Sequence, residues 1–369
     1  MGLLQKAVET YDCHREYAGK LREGHDVLAP VSHSLTRAKV EITINANGDF
    51  VSAQAVDKDA PKIVIPVTEE SAGRSGTGAF KLPHPLCDKL SYLIAEPNYY
   101  IPQLDDWAQS SFCHPKTLAI LNYVKRKTLL SDLSASGCVT RNDKGEINQK
   151  DDMICWRVIG RDEETPSACW MDQSLFEAYS SYYQAKKAQG NRAVCMISGE
   201  ELPAAVQHPK GIVAFSGNAK LISSNDDKGF TYRGRFDADW QAVSVGYVST
   251  QKAHNALRWI ISEQGAAAVF GGRTFLCWNP KGYQVCSVVG PFRKNAAVRT
   301  EPTDYRKELQ RTLAGYQTEL PEMEGVVIAA FDAATSGRLS LTYYNELIGS
   351  DFLQRLYDWD LTCCWHNGP

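Results

Sequence analysis

The chain has 369 residues, 43% of them hydrophobic and 22% charged, which supports two or three units of ordinary domain size and excludes large-scale disorder. A net charge of −3 argues against an independent, non-specific nucleic-acid binder, while leaving room for a local basic groove inside an assembly. No apolar run approaches the roughly 20 residues of a membrane helix, and Glu9, Asp12 and Glu16 interrupt any signal-peptide pattern, so a cytoplasmic protein is expected.

Residues 1–24, with Leu3, Leu4, Ala7, Tyr11 and Leu21 on an apolar face, predict a helix. Residues 40–56 alternate on both sides of Asn47-Gly48, a favoured tight turn, and predict a hairpin. Further strands are predicted over 62–67 and 90–95. Between them, 69–82 holds Gly, Ser and Thr with Arg74 and Lys81 and lacks a hydrophobic period, the pattern of a surface loop. A helix over 114–133 carries the basic run Lys125-Arg126-Lys127. A strand over 153–159 and a helix over 172–189, stopped by Gly190, follow. From 190 to 245 the chain is rich in Gly, Ser, Asn, Lys and Arg between short strands at 211–215 and 219–222. A helix over 249–264 precedes a strand over 273–278, and another helix is predicted over 302–316. Residues 326–331 and 338–344 form a second hairpin, with a helix over 345–357 after it. Without a regular βαβ period the class is α+β, with mainly antiparallel sheets and interspersed helices in two or more packed subdomains. The boundary is placed at 190, giving domains 1–190 and 191–369.

The eleven cysteines include no Cys-x-x-Cys pair, and Cys155, Cys195, Cys277 and Cys286 sit among apolar residues, as buried thiols of a reducing compartment do. The fragments around His84 and Cys87, Cys113 and His114, and Cys363 to His366 lack a second half at zinc-finger spacing. No metal or cofactor is therefore expected. Gly73 to Gly78 lacks the Lys-Ser/Thr of a phosphate-cradling loop, and Pro83 and Pro85 oppose the helix that a dinucleotide fold opens there. The pairs Asp105-Asp106, Asp151-Asp152 and Asp226-Asp227 stand outside any acidic nuclease motif. No hydrolase signature occurs, and Cys195 reads as a structural thiol rather than a nucleophile served by His208. No catalytic residue is assigned.

One segment suits close approach of a phosphate backbone. It combines Cys195-Met-Ile-Ser-Gly-Glu200, His208-Pro-Lys210, Gly217-Asn-Ala-Lys-Leu-Ile-Ser-Ser-Asn225, Phe230-Thr-Tyr-Arg-Gly234 and the stretch from Tyr247 to Leu257. Small residues, amides, hydroxyls and spaced cations of this kind contact phosphates and base edges. On the residues alone, a loop-rich surface for a protein partner stands equally open.

In order, these boxes resemble the large subunit of the subtype I-C CRISPR surveillance complex (Cascade). That family has a Cys-x-x-Thr/Ser-Gly-Glu box, a His-Pro box with basic and glycine-rich residues, a Gly-Ala-x-Leu-x-Ser-Phe-Asn box and an aromatic-Ser-Tyr-Gly box. A helix ending in Ala-Leu-Asn and a strand ending in Trp follow, here Asn255-Ala-Leu-Arg258 and Thr274 to Trp278. Arg74-Ser-Gly and Gly337-Arg338-Leu match two further features. Ser224, Arg233 and Arg258 depart from the pattern.

The resemblance implies a non-catalytic subunit that reads the short PAM on duplex DNA, helps open it and supports recruitment of a helicase–nuclease, with protospacer specificity left to base pairing. Implied partners are the guide RNA (crRNA), target duplex DNA at the PAM, the backbone and guide-handle-binding subunits, the small subunit and the helicase–nuclease effector. An anti-CRISPR inhibitor is a further candidate. Expected DNA contacts are Arg74, Ser75 and Lys81 on the loop, and Asn218, Lys220, Ser223, Ser224, Asn225, Arg233 and Arg235 in the central segment. Lys125, Arg126 and Lys127 rank below these, since an exposed helix face explains them. The family continues into a helical region that this chain lacks, so a C-terminally truncated member is expected.

Overall fold

Alternating β-branched residues and two long amphipathic helices dictate the elements of the computed structural model, which describes residues 1–74, 81–160, 165–223, 242–262, 267–285, 320–321 and 323–363. In chain order they begin α1 (Leu3–Cys13), β1 (His33–Thr36), β2 (Val40–Asn45), β3 (Phe50–Ala55), β4 (Ile63–Pro66) and α2 (Glu69–Gly73). Next come α3 (Leu90–Leu93), α4 (Tyr100–Ala108), α5 (Pro115–Lys125), α6 (Leu129–Ala135), β5 (Ile154–Ile159), α7 (Gln173–Ala188), β6 (Arg192–Val194) and β7 (Glu201–Pro203). The last are α8 (Tyr247–Ser262), β8 (Ala267–Phe270), β9 (Arg273–Trp278), β10 (Gly325–Thr335), β11 (Arg338–Ile348) and α9 (Gly349–Cys363). The mixed α+β class holds, with mostly antiparallel sheets.

The first core is built on β2. Antiparallel β3 and parallel β5 flank it, and Val40 through Ile44 are buried on both faces. The hairpin tip rests on α5, and this requires glycine. Gly48 has φ +83°, and a Cβ there would lie 2.5 Å from the Ala119 carbonyl. A buried ion pair of 2.5 Å between Lys116 of α5 and Asp172 ties α5 to α7. Asp172 also caps α7, accepting from the amides of Ser174 and Leu175. Helix α7 contributes Tyr179, Tyr182 and Tyr183 to an aromatic wall with Trp107, whose ring centroid lies 5.0 Å from that of Tyr179.

The second core is a four-stranded antiparallel sheet in the order β11-β10-β9-β8, with α1 and α8 against it. Leu3, Ala7 and Tyr11 meet Ala253, Ala256 and Leu257 there, and Trp278 Nε1 donates to Thr10 Oγ1 at 3.0 Å. The first residues of the chain thus complete the core of its second half. Tyr247, at the start of α8, packs edge-on against Tyr183, and its hydroxyl donates to Ser32 Oγ at 2.8 Å, joining the two cores.

Several predicted elements change form. The helix expected over 1–24 ends at Cys13, and Gly19 at φ +77° turns the chain soon after. Instead of a strand, 90–93 is the helical turn α3: the Leu90 and Ser91 amides donate to the carbonyls of Asp152 and Lys150, and the one bridge, at Lys89 with Met153, lies just before it. Lys127 at φ +58° breaks 114–133 into α5 and α6. The strand expected at 211–215 is a 3-10 turn at Ala214–Ser216, and 219–222 contributes isolated bridges. Strand β11 runs on to Ile348, so the last helix starts at Gly349. The helix expected over 302–316 lies outside the described residues.

Gly48→Ala is expected to lower stability by about 2 kcal/mol or more, from left-handed strain plus the clash with α5. Gly145 shares the positive φ with open space around it, so Gly145→Ala isolates the backbone term. Urea midpoints for the two variants check this, and equal losses would show that the α5 contact contributes nothing.

Candidate nucleic-acid interface

Loop 69–82 is organised from its stems. Thr68 and Ser71 cap α2 reciprocally, each accepting the other's amide at 2.9–3.0 Å. At the end of α2, Arg74 turns inward. Its two terminal nitrogens donate to Asp88 at 2.5 and 2.6 Å, Nη1 also reaches the Leu82 carbonyl, and the guanidinium lies 4.0 Å over the Tyr92 ring. Asp88 accepts two further donors, the amides of His84 at 2.6 Å and Lys89 at 2.7 Å. The pair is buried, with 11% of the Arg74 side chain and none of Asp88 exposed. Arg74, expected to contact DNA, is thereby committed to closing the loop stem, and its donors face the protein.

The segment that follows is held by core donors. Leu86, at φ +63°, is kept there by its own carbonyl, which accepts from Tyr100 OH and Trp156 Nε1, both at 2.6 Å. Lys81, on the far side of the loop, is exposed.

The central segment meets the loop here. Lys210 Nζ donates to the Arg74 carbonyl at 3.0 Å, and a Cβ on Gly73 would lie 3.9 Å from Lys220 Nζ. The backbones of Lys210 and Lys220 form an antiparallel bridge, and Lys220 forms a parallel bridge with Arg338 at the start of β11. Lys210 and Lys220 are thus bridged neighbours, with Arg338 at the next bridge position. Directly opposed like charges are destabilising. Among the described residues, no carboxylate forms an ion pair with any of the three. Burial, followed by the charge of Arg74, lowers the Lys210 pKa; burial, followed by the charge of Lys210, lowers that of Lys220, with Glu69 opposing from farther off.

The row is fixed from behind. Gly211, at φ +72°, allows the turn, since a Cβ there would stand 2.8 Å from the Gly217 carbonyl. Arg258 is half-buried, its pKa lowered to about 10 by desolvation, and it donates to the carbonyls of Lys210 and Gly211 and to Asn255 Oδ1. Asn255 in turn donates to the carbonyls of Ala29 and Pro30 at 3.1 Å. His208, Thr250 and His254 form a buried chain, with His208 Nδ1 2.9 Å from Thr250 Oγ1. Cys195 closes the neighbouring knuckle. Burial opposes its ionisation, but backbone N–H groups of Gly246, Ser198 and Ile197 outweigh this and lower its pKa.

Asn218 is exposed on the same turn, and Ser223 lines a cleft with Lys220 and Arg338. Ser75, Ser224, Asn225, Arg233 and Arg235 lie outside the described residues. Lys125, Arg126 and Lys127 are not brought to the row. They pair with Asp105 at 2.7 Å, Asp49 at 2.8 Å and Glu96 at 4.0 Å. Lys210, which stands in the His-Pro-Lys box, was not singled out from the sequence, and neither was Lys187, which pairs with buried Glu69 at 2.6 Å. Nor was Asp88, which carries no sequence signal.

With this geometry in place, the comparison with protein families is decisive. A family model described as CRISPR-associated protein (Cas_Csd1) matches residues 13–369. The chain belongs to the Cas_Csd1 family. A search of curated proteins found no match. In this Cas_Csd1 protein no group of three His, Cys, Asp or Glu side chains converges as a metal site among the described residues. Nor, among them, is any helix long and apolar enough to cross a membrane.

Arg74→Ala leaves Asp88 as an uncompensated buried charge and is expected to cost about 3–5 kcal/mol of stability, read from denaturant unfolding. A loss below about 1 kcal/mol would place the pair in water.

Burial lowers the pKa values of His33, His84 and His208 to about 4 and that of His254 to about 3, from an ordinary 6.5. Folded chains then bind fewer protons than unfolded ones below 6.5, so stability present above 6.5 is lost as pH falls toward the folded values. Burial raises the Glu69 pKa above 4.5, a shift of opposite sign that favours the folded state at lower pH. Unfolding free energies from denaturant titrations at about pH 7 and about pH 5 should differ by on the order of 1 kcal/mol per ring. A flat profile would contradict the burial.

Proposed function

We propose that this Cas_Csd1 protein is the large subunit of a subtype I-C Cascade complex, a non-catalytic subunit that binds the PAM-bearing duplex and supports recruitment of the helicase–nuclease. Family membership supports a CRISPR-associated, Cascade-type role. The observation that carries the DNA reading is the cross-strand row Lys210, Lys220 and Arg338 beside the Arg74–Lys81 loop stem. A polyanion relieves the mutual repulsion of such a row, and phosphate contact releases counterions. Asn218 and Ser223 stand beside the row as neutral donors for a phosphate or a base edge. Guide RNA, the other Cascade subunits and the helicase–nuclease are proposed partners on the same ground.

The non-catalytic reading is supported by where the acidic pairs stand. Asp105 pairs with Lys125, Asp106 with Lys186 and Asp151 with Lys89, each on the surface and engaged by a lysine. Purified protein with Mg²⁺ or Mn²⁺ should leave labelled DNA intact.

Replacing Lys210 and Lys220 together by Ala should weaken binding of PAM-containing duplex by the assembled complex about tenfold. The slope of log affinity against log salt should fall by about 2, close to one unit per lost phosphate contact. Unchanged affinity and slope would remove the row from the DNA surface and favour a scaffold that touches only guide RNA and protein.

A further inference from the structure

A second concavity flanks Lys81, on the α7 side of the loop stem. It encloses about 380 Å³, at the small end of the volumes that take organic ligands. Its lining is rich in aromatic rings, those of Trp107, Tyr179, Tyr182, Tyr183 and Tyr99. Lys81, Lys186 and Lys187 stand around it.

Two polar atoms single it out. Tyr179 is fully buried, and its hydroxyl has no hydrogen-bond partner among the described residues; neither has the buried Gln103 Oε1. Both residues line the concavity. The neighbouring phenols differ, since Tyr182 OH donates to Asp106 at 2.5 Å and Tyr183 OH to Glu70 at 3.2 Å. Unpaired buried groups carry their desolvation penalty until something pairs with them.

We propose that this concavity receives one unpaired nucleic-acid base, flat against the aromatic wall with its polar edge toward Tyr179 and Gln103. The inference rests on the nucleic-acid reading above and deepens it. Aromatic faces take any base by stacking, and a cationic rim tracks the adjoining phosphate. Lys186 pairs with Asp106 at the surface, an ion pair readily exchanged for a phosphate. Glu70 on the wall repels a phosphate from the interior, so the base rather than the backbone points inward. The rim is continuous with the cationic row, because Lys187 holds Glu69 of α2 and α2 ends at Gly73 beside Lys220. A duplex held on the row thus has a receptor for an extruded base beside it.

The probe is a forked PAM duplex with one unpaired arm, in which a single abasic site is moved along the arm. Binding by the assembled complex should fall about tenfold at one position and little elsewhere. Gln103→Leu and Tyr99→Ala should weaken the intact fork by a similar factor and abolish sensitivity at that position, with unfolding midpoints confirming the fold. A flat scan would overturn the base pocket; if the Lys210 and Lys220 substitutions still weaken binding, the nucleic-acid reading stands without it. A flat scan with no effect of those lysines removes both. If Gln103→Leu weakens the fork while the scan is flat, the concavity serves another occupant, a partner side chain or water, and the proposal fails.

Discussion

The arrangement turns on one carboxylate. Asp88 is wholly buried and accepts four donors, two from Arg74 and one each from the amides of His84 and Lys89. Its own carbonyl accepts from Ile154 N at 2.8 Å, anchoring it to the strand beside β2. A buried charge is tolerable only when so completely satisfied. By holding residues on both sides of 75–80, Asp88 fixes where the loop leaves the body and aims the Arg74 carbonyl at Lys210. The fold's first half thereby sets the position of a cation from its second half.

That coupling explains which features were legible in the sequence. The hairpin around Asn47-Gly48, the Gln173–Ala188 helix and the β10–β11 hairpin follow from local pattern, since turn chemistry and periodicity act over a few residues. The elements that changed form are governed at long range. Residues 90–93 became helical because neighbouring groups are engaged by Asp152 and Asp88, far away in sequence or hidden by burial. The engagement of Arg74 has the same origin. An arginine in a Gly-Ser loop looks like a phosphate ligand, and only the fold shows that an acid fourteen residues on has captured it. Lys210 stands within its box, but its bridge to Lys220, and that of Lys220 to Arg338, are announced by no local pattern.

Arg258 illustrates how a departure from the family pattern can still be structural. Arginine at this position clamps two consecutive carbonyls of the Lys210–Gly211 turn while Asn255 holds the chain at Ala29 and Pro30. Its guanidinium brings a further positive charge beneath an already cationic surface. The cost of burying it is met by carbonyl and amide dipoles, not by a carboxylate. Among the described residues, the backing at Arg258 adds no carboxylate to the row.

Pairing, rather than the number of cations, separates the two basic regions. Lys125, Arg126 and Lys127 are consecutive and conspicuous, yet each faces an acid, so their field largely cancels within a few ångströms. Lys210, Lys220 and Arg338 are scattered through the sequence and face one another. A protein of net charge −3 can hold such a patch because its acids are deployed elsewhere, against α5, α7 and the loop stem. An anion approaching the row meets a local potential that the overall charge does not describe. The acidic total weighs against attraction of the same ligand by the surface at large.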